Sequence, residues 1–171
     1  MIEYFSLLAE YNRKANEAMY AILSSLSDEQ RSAEIGSYYR SIAGTVRHIL
    51  SSDLIWLTRI SAAFPALAAV RFNSDELSPA ENIGFSALRD RRARVDAVFE
   101  GLAREVTEDL VQRDLVYIDK RGNERRYIFW QALLHMFNHQ THHRGAVSEA
   151  LDRLKVENDY SNIIWYISPP K

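Results

Sequence analysis

The first 26 residues show the spacing of apolar and polar positions that is typical of an amphipathic helix. Apolar side chains recur every three or four residues between Ile2 and Leu26, which places them on one face of a helix with about 3.6 residues per turn. They are Phe5, Leu8, Tyr11, Ala15, Met19, Ile22 and Leu26. The polar residues 27–30 then interrupt the pattern, so we expect a first helix from Ile2 to Leu26 followed by a break.

The same periodicity returns twice in the middle of the chain. Ser41 is a typical N-cap residue, and the apolar residues after it predict a second helix. That helix should end near Pro65, because proline disfavours helical geometry in the residue before it. Residues 71–82 include a proline and two serines and indicate a long loop. A third helix is predicted over 83–106, and the mixed charges of residues 89–94 favour a solvated face for that run.

A short β element precedes the last long helix. Two β-prone runs, residues 115–118 and 127–129, flank a polar segment that contains a glycine, which predicts a hairpin. Apolar periodicity then predicts a fourth helix over 129–155, and a short final helix around 162–167. A chain of 171 residues fits one domain. We therefore expect a single domain over 1–171, an all-α four-helix bundle with a small β-hairpin before the fourth helix.

Composition narrows the classes of function. The formal net charge of -2 gives no electrostatic basis for binding nucleic acid. No apolar run approaches the roughly 18 residues of a membrane span, and the N-terminus lacks the features of a signal peptide. We therefore expect a cytoplasmic protein without a membrane partner. The absence of cysteine excludes disulfides, a thiolate nucleophile and sulfur ligands, so a metal site would use nitrogen and oxygen atoms.

Four of the five histidines fall within nine residues of the fourth helix. Histidine is the commonest metal ligand, so this clustering suggests chemistry. Residues four apart differ by about 40° around a helix, so His139 and His143 lie side by side. His143 points partly into the bundle, and His139 lies on the margin beside it. His135 and His142 point further from the core. His48, on the second helix, lies at the edge of that helix's apolar stripe.

The histidines admit two interpretations. In one, His48, His139 and His143 hold a metal ion with an open position, as three protein ligands do in catalytic zinc sites; imidazole suits iron, nickel and copper as well. In the other, they are hydrogen-bonded core or surface residues. A zinc protease is excluded, because Gln140 stands where the general-base glutamate is required. No G-x-S-x-G turn supports a serine hydrolase.

Three segments of the chain carry a more specific pattern. They are Tyr11-Asn12 with Ala15-Asn16, Gly36-Ser37 through Ser41-Ile42 and His48 to Trp56, and Asn138-His139 through His143-Arg144-Gly145. In this pattern the chain resembles the DinB/YfiT-like superfamily of proposed metalloenzymes. The resemblance implies a four-helix bundle, a homodimer formed through helix faces, and a divalent cation held by His48, His139 and His143. It leaves zinc, nickel and iron open as the ion.

The resemblance also implies an activity. Superfamily members with better-defined roles include thiol-dependent S-transferases and a mycothiol-dependent isomerase, in which the metal is thought to activate the thiol of a small cosubstrate. Since this chain has no cysteine, the thiol would come from a small molecule. The first expectation is therefore a metal-dependent enzyme that acts on a small-molecule substrate with a low-molecular-weight thiol. The alternatives are a metal-dependent hydrolase that uses water, and a non-enzymatic, stress-related metal-binding or scaffold protein.

Several polar residues could support the ligating imidazoles. Metal-bound histidine usually donates its second N–H to a carboxylate, a carbonyl or a water, and Asp53, Asn138 and Glu149 are candidates for that contact. Asp53 lies close to the core direction of its helix, so a buried ion pair with Arg144, which also leans inward, is its alternative role. Asn138 faces away from the core, which favours contact with a neighbouring element.

Three further positions bear on the site. Tyr38 and Tyr39, near the start of the second helix, could line a pocket mouth or donate a proton, although packing is the more common role of aromatic residues. Ala146 stands where the superfamily often has glutamine, which removes a side chain that could contact the site.

Overall fold

Four long helices form the body of the molecule in the computed structural model, which describes residues 1–70 and 83–166. In chain order the elements are α1 (Ile2–Ser24), α2 (Asp28–Ser32), α3 (Ile42–Ala63), α4 (Phe85–Glu105), α5 (Glu108–Val111), β1 (Asp114–Ile118), β2 (Glu124–Ile128) and α6 (Phe129–Arg153). A 3₁₀ turn over Ile163–Trp165 follows. The all-α fold with a β-hairpin before the last long helix is confirmed. The predicted loop 71–82 lies outside the described residues.

The core lies between the four long helices, each of which packs against two of the others: α1 against α4 and α6, and α3 against the same two. Fully buried side chains from each helix meet there, including Met19, Leu50, Phe99 and Leu151. Removing such apolar side chains from water is the main stabilising contribution in a domain of this size. Within residues 1–70 and 83–166, none of the helices has the length and hydropathy that a membrane span requires.

The helix ends follow local signals in the sequence. Ser41 caps α3 as predicted, because its hydroxyl oxygen accepts a hydrogen bond from the backbone N–H of Gly44 at 3.0 Å. α3 ends at Ala63, before Phe64 and Pro65. α1 ends at Ser24, two residues before the predicted Leu26, and the polar break contains the one-turn helix α2. Ser27 and Gln30 form a capping box that starts α2.

The hairpin is antiparallel, with Asp114 opposite Ile128 and Ile118 opposite Glu124. Its turn is closed by the carboxylate of Asp119, which accepts hydrogen bonds from two backbone N–H groups of the turn. Gly122 supplies the left-handed backbone conformation, with φ of 81°. The hydrogen bonds from the turn lower the pKa of Asp119 to about 2, so the turn is held by an ionised carboxylate at neutral pH.

One residue of α4 departs from its predicted environment. The charged run 89–94 was expected to lie on a solvated face, and Arg89, Asp90 and Arg94 are exposed. The side chain of Arg92, however, is only 2% exposed. Arg92 donates to the buried carboxylate of Asp53 and lies 2.9 Å from that of Asp96. Arg92 lies one turn after the buried Leu88 and three residues before the buried Val95. Its side chain therefore points into the core, where it pairs with both carboxylates.

Candidate metal centre

Three histidines from two helices meet on one side of the bundle. His48 lies in the second turn of α3, and His139 and His143 lie one turn apart on α6. The two helices pack directly against each other, because each presents an apolar stripe to the core. That packing brings His48 to the two histidines of α6, so the site exists only in the folded bundle.

The three imidazoles offer nitrogen atoms that all lie within 4.8 Å of one another. The Nε2 atoms of His48 and His139 are 3.0 Å apart, and the ring centroids of His139 and His143 are 4.4 Å apart. An ion with metal–nitrogen bonds of about 2.0–2.1 Å sets nitrogen–nitrogen distances of roughly 3.3 Å in a tetrahedral site. Small side-chain rotations bring these nitrogens to such distances, so the cluster could hold a metal ion.

The electrostatics of the cluster favour the neutral imidazole that a metal requires. Partial burial, together with the charge of His139, lowers the pKa of His48 to about 4. Burial and the neighbouring histidines likewise lower the pKa of His139 and of His143 to about 4. At neutral pH all three rings are therefore uncharged, and each has a nitrogen lone pair available.

Tyr39 covers one side of this cluster. Its hydroxyl oxygen lies 2.8 Å from His48 Nε2, and its ring stacks on the His48 ring with centroids 3.9 Å apart. The edge of His143 meets the same ring at 5.4 Å between centroids. Tyr38 has no such place, since it is 90% exposed. The rings of the two tyrosines contact each other edge to face, with centroids 4.9 Å apart, but in the described contacts only Tyr39 also reaches the histidines.

The turn before α3 holds Tyr39 in this position. The carbonyl of Tyr39 accepts a hydrogen bond from the backbone N–H of Ser41 at 2.8 Å. Gly44 lies so close to that carbonyl that an added Cβ would be 2.1 Å from the oxygen. Arg40, between them, adopts the left-handed conformation, with φ of 66°, which is uncommon for a residue with a side chain. This turn therefore depends on glycine at position 44.

The remaining histidines lie outside the cluster, as the helical wheel predicted. His135 and His142 are exposed on α6, and neither belongs to a metal-ligand group within residues 1–70 and 83–166. The His135 ring packs against Trp56 at 5.2 Å between centroids. Burial against this neighbour, with the charge of Arg59 nearby, lowers the pKa of His135.

Asp53 and Arg144 are both buried, but they do not pair with each other as the sequence suggested. The carboxylate of Asp53 accepts a hydrogen bond from Arg92 of α4. Arg144 instead donates to the side-chain oxygens of Asn12 and Asn16 on α1. In the described hydrogen bonds neither Asp53 nor Arg144 contacts an imidazole, so the structure gives both a role in joining helices.

A buried polar network fixes the rotation of α6 against α1. Gln140 accepts a hydrogen bond from the side-chain amide of Asn16 at 3.0 Å, and the same amide donates to Asp96 of α4 at 2.9 Å. Arg144 joins the network through Asn12 and Asn16. Gln140 and Arg144 each directly follow a histidine of the cluster and lie about 100° further around the helix. Holding them in the core turns the two preceding imidazoles toward α3.

Two other expected support residues lie at the surface. Glu149 is exposed and forms an ion pair with Arg153 at 2.6 Å. Asn138 is exposed and lines a pocket beside α6, which agrees with its predicted position away from the core. Ala146 is partly buried on α6. None of these three has a described contact with the histidine cluster.

Comparison with known proteins places the chain in a family. A model of the DinB family matches residues 1–169. Protein DinB of Bacillus subtilis (strain 168) is 26% identical over 156 residues, a match that covers 88% of this chain and 86% of that protein. No solved structure gave a significant match. Because the family model spans nearly the whole sequence, the chain belongs to the DinB family.

Proposed function

We propose that the chain is a metal-dependent enzyme in which His48, His139 and His143 hold a divalent cation and leave part of its coordination open. The observation that carries the proposal is the set of three neutral imidazole nitrogens within 4.8 Å of one another. Three protein ligands with an open position characterise catalytic rather than structural zinc sites. The described donors are nitrogens alone, which suit zinc, nickel and iron and therefore leave the identity of the ion open.

The cation would supply Lewis-acid chemistry, lowering the pKa of a thiol or a water so that it attacks at neutral pH. A low-molecular-weight thiol is the preferred nucleophile, because the superfamily that the chain resembles includes thiol-using members. Since the chain has no cysteine of its own, the thiol would come from a small molecule. The reaction proposed is transfer of that thiol to a small electrophilic substrate. Hydrolysis with water as the nucleophile is the second candidate, since the same cluster would serve it.

Two hydroxyl groups lie near His48 Nε2, that of Tyr39 at 2.8 Å and that of Ser52 at 3.4 Å, and we assign the role of donor to Tyr39, which lies closer. Burial raises the pKa of its phenol, so the hydroxyl keeps its proton at neutral pH and can donate a hydrogen bond. In this structure it is paired with His48 Nε2 at 2.8 Å. Once that nitrogen binds a cation, its lone pair is no longer an acceptor, and the Tyr39 hydroxyl is free to donate to the substrate.

Metal analysis tests the ligand set. The wild-type protein and the variants His139→Ala, His143→Ala and His142→Ala are purified identically and their metal content is measured. The first two variants should lose the metal, whereas His142→Ala should keep it, because His142 is an exposed neighbour on the same helix. Equal metal content in all four proteins would overturn the assignment.

The nucleophile is tested with two electrophiles. Metal-loaded protein is incubated with 1-chloro-2,4-dinitrobenzene, with and without glutathione or mycothiol, and separately with 4-nitrophenyl acetate. Thiol transfer predicts that the carbon–sulfur bond forms, with release of chloride, faster than the same thiol reacts without the protein. Ester hydrolysis that needs no thiol would favour the hydrolase instead, and loss of either activity in His139→Ala would tie it to the cluster.

A further inference from the structure

A pocket of about 710 Å³ lies beside α6 where the hairpin meets that helix. Its lining includes the rings of Trp56, Tyr127 and Trp130, together with Leu134, His135 and Asn138. Pockets for small molecules commonly measure about 300–1,000 Å³ and combine apolar or aromatic walls with a few polar groups. We call this feature the aromatic pocket. Its size and its lining both match a site for a small molecule.

The aromatic wall of the pocket is held in place from behind. The guanidinium of Arg59 lies over the ring of Trp56 at 4.6 Å and over the ring of Tyr117 at 3.9 Å. Trp56 and Tyr117 also meet edge to face, with centroids 5.6 Å apart. Such cation–π and aromatic contacts fix the orientation of a ring. The Trp56 surface is therefore preformed, which reduces the ordering that a ligand must impose when it binds.

The pocket is next to the histidine cluster. His135 lines it and lies four residues, a rise of about 6 Å, before His139, and the two rings are 5.9 Å apart between centroids. On α3, Trp56 lies two turns after His48. A small molecule that contacts His135 therefore lies within its own length of the three clustered imidazoles.

We propose that the aromatic pocket binds a flat aromatic ring of the substrate, with a polar group directed at His135 and Asn138 and the reacting end extending toward the histidine cluster. The inference rests on the proposed function and adds a substrate class to it. Stacking against Trp56 and Trp130 favours a flat ring over a saturated one. A concave pocket whose lining combines aromatic rings with the polar side chains of Gln131, His135 and Asn138 fits a small molecule better than the flat face of a second copy.

The three tryptophans make the test direct. Trp56 and Trp130 line the pocket, while Trp165 is 63% exposed and is not among the pocket residues. In a ¹⁵N-labelled sample each indole N–H gives its own signal, which single Trp→Phe variants assign. Metal-free protein is titrated with 2-naphthol and, in parallel, with cyclohexanol. We expect 2-naphthol to shift the Trp56 and Trp130 signals saturably and to leave the Trp165 signal unmoved. Cyclohexanol should bind at least about tenfold more weakly.

A matched pair of surface variants locates the binding. Leu134 and Ile164 are exposed apolar residues, 47% and 63% exposed, and only Leu134 lines the pocket. Leu134→Asp should weaken 2-naphthol binding at least about tenfold, whereas Ile164→Asp should leave it unchanged. Equal weakening in both variants, or equal affinity for the two probes, would overturn the proposal. Shifts of Trp56 and Trp130 that follow protein concentration rather than probe would overturn it in favour of a second copy.

A paramagnetic ion separates this inference from the proposed function. Protein loaded with Mn²⁺ should broaden the proton signals of bound 2-naphthol if the pocket and the histidine cluster form one site. If 2-naphthol binds to protein that holds Mn²⁺ and its proton signals are not broadened, the pocket and the histidine cluster do not form one site. Failure of the protein to take up any divalent metal would overturn the proposed function and with it this link, while the tryptophan titration in metal-free protein would still decide whether the pocket binds a flat ring.

Discussion

The hydroxyl of Tyr39 lies 2.8 Å from His48 Nε2, and the two rings stack with centroids 3.9 Å apart. The contact joins the turn before α3 to a nitrogen within 3.0 Å of His139 Nε2. A phenol so close to the three imidazoles can either pack there or donate a hydrogen bond to what binds there. Only the second role requires the hydroxyl group, so a variant that lacks the oxygen but keeps the ring distinguishes the two roles.

The variant Tyr39→Phe keeps the ring and removes the donor. We expect it to bind metal like the wild type but to slow thiol transfer by about 100-fold, the lower end of the contribution of a positioned proton donor. Tyr38→Phe is the matched control, because Tyr38 is 90% exposed and its loss should change the rate less than about twofold. Metal content and initial rates are measured for both variants. Equal rates in the two would assign Tyr39 to packing alone.

Metal affinity should change little as the pH falls toward about 5 and should drop near pH 4. The pKa values of His48, His139 and His143 are each lowered to about 4, so protons compete with the metal in the folded protein only near that pH. Titration calorimetry with zinc across this range measures the effect. If zinc affinity were already lost near pH 6.5, the ordinary pKa of histidine, this prediction would be wrong.

The same shifts make the metal-free fold sensitive to acid. The unfolded chain binds protons at these histidines near pH 6.5, and the folded chain only near pH 4. Between those values the unfolded state holds more protons, so the free energy of unfolding should fall as the pH falls. Urea denaturation at several pH values measures this. The free energy of unfolding should decline less steeply with falling pH in His139→Ala than in His142→Ala, which is the control because His142 is exposed.

The sequence predicted the elements well because each depends on local signals. The spacing of apolar residues placed all four long helices to within two residues at their ends, and Ser41 marked the start of α3. The positions of His139 and His143 followed from the same helical geometry. The one-turn helices α2 and α5 escaped prediction, because four or five residues are too few to show a period.

The sequence placed Asp53 and Arg144 toward the core, where both are buried, but it did not reveal their partners or the burial of Arg92. Arg92 was assigned to solvent because its neighbours carry mixed charges, although Leu88 and Val95 place it on the apolar stripe of α4. Its partner Asp53 comes from another helix, and pairing between helices has no sequence period. The Asn12 and Asn16 pair on the buried face of α1 was the available signal for the network around Arg144.

Breaking the buried ion pair should destabilise the protein strongly. Arg92→Met leaves the carboxylates of Asp53 and Asp96, each at most 3% exposed, without their cation. Removing one partner of a buried pair costs about 3–5 kcal/mol. Arg89→Met is the control on the same helix, because Arg89 is 50% exposed and its loss should change stability by less than about 0.5 kcal/mol. Urea denaturation at neutral pH measures both, and equal stabilities would show that the pair contributes nothing.

Two glycines in helices should respond oppositely to the same substitution. A methyl group at Gly44 would lie 2.1 Å from the Tyr39 carbonyl oxygen, so Gly44→Ala must displace the turn that holds Tyr39. We expect a loss of about 1–3 kcal/mol in the free energy of unfolding and slower thiol transfer. Gly145→Ala meets nothing within 4 Å and should stabilise α6 by about 0.5–1 kcal/mol, since glycine is a poor helix former. Thermal and urea unfolding of both variants measure the difference. If Gly44→Ala were more stable than the wild type and transferred thiol at the same rate, the close contact between the Tyr39 carbonyl and α3 would not be what positions Tyr39.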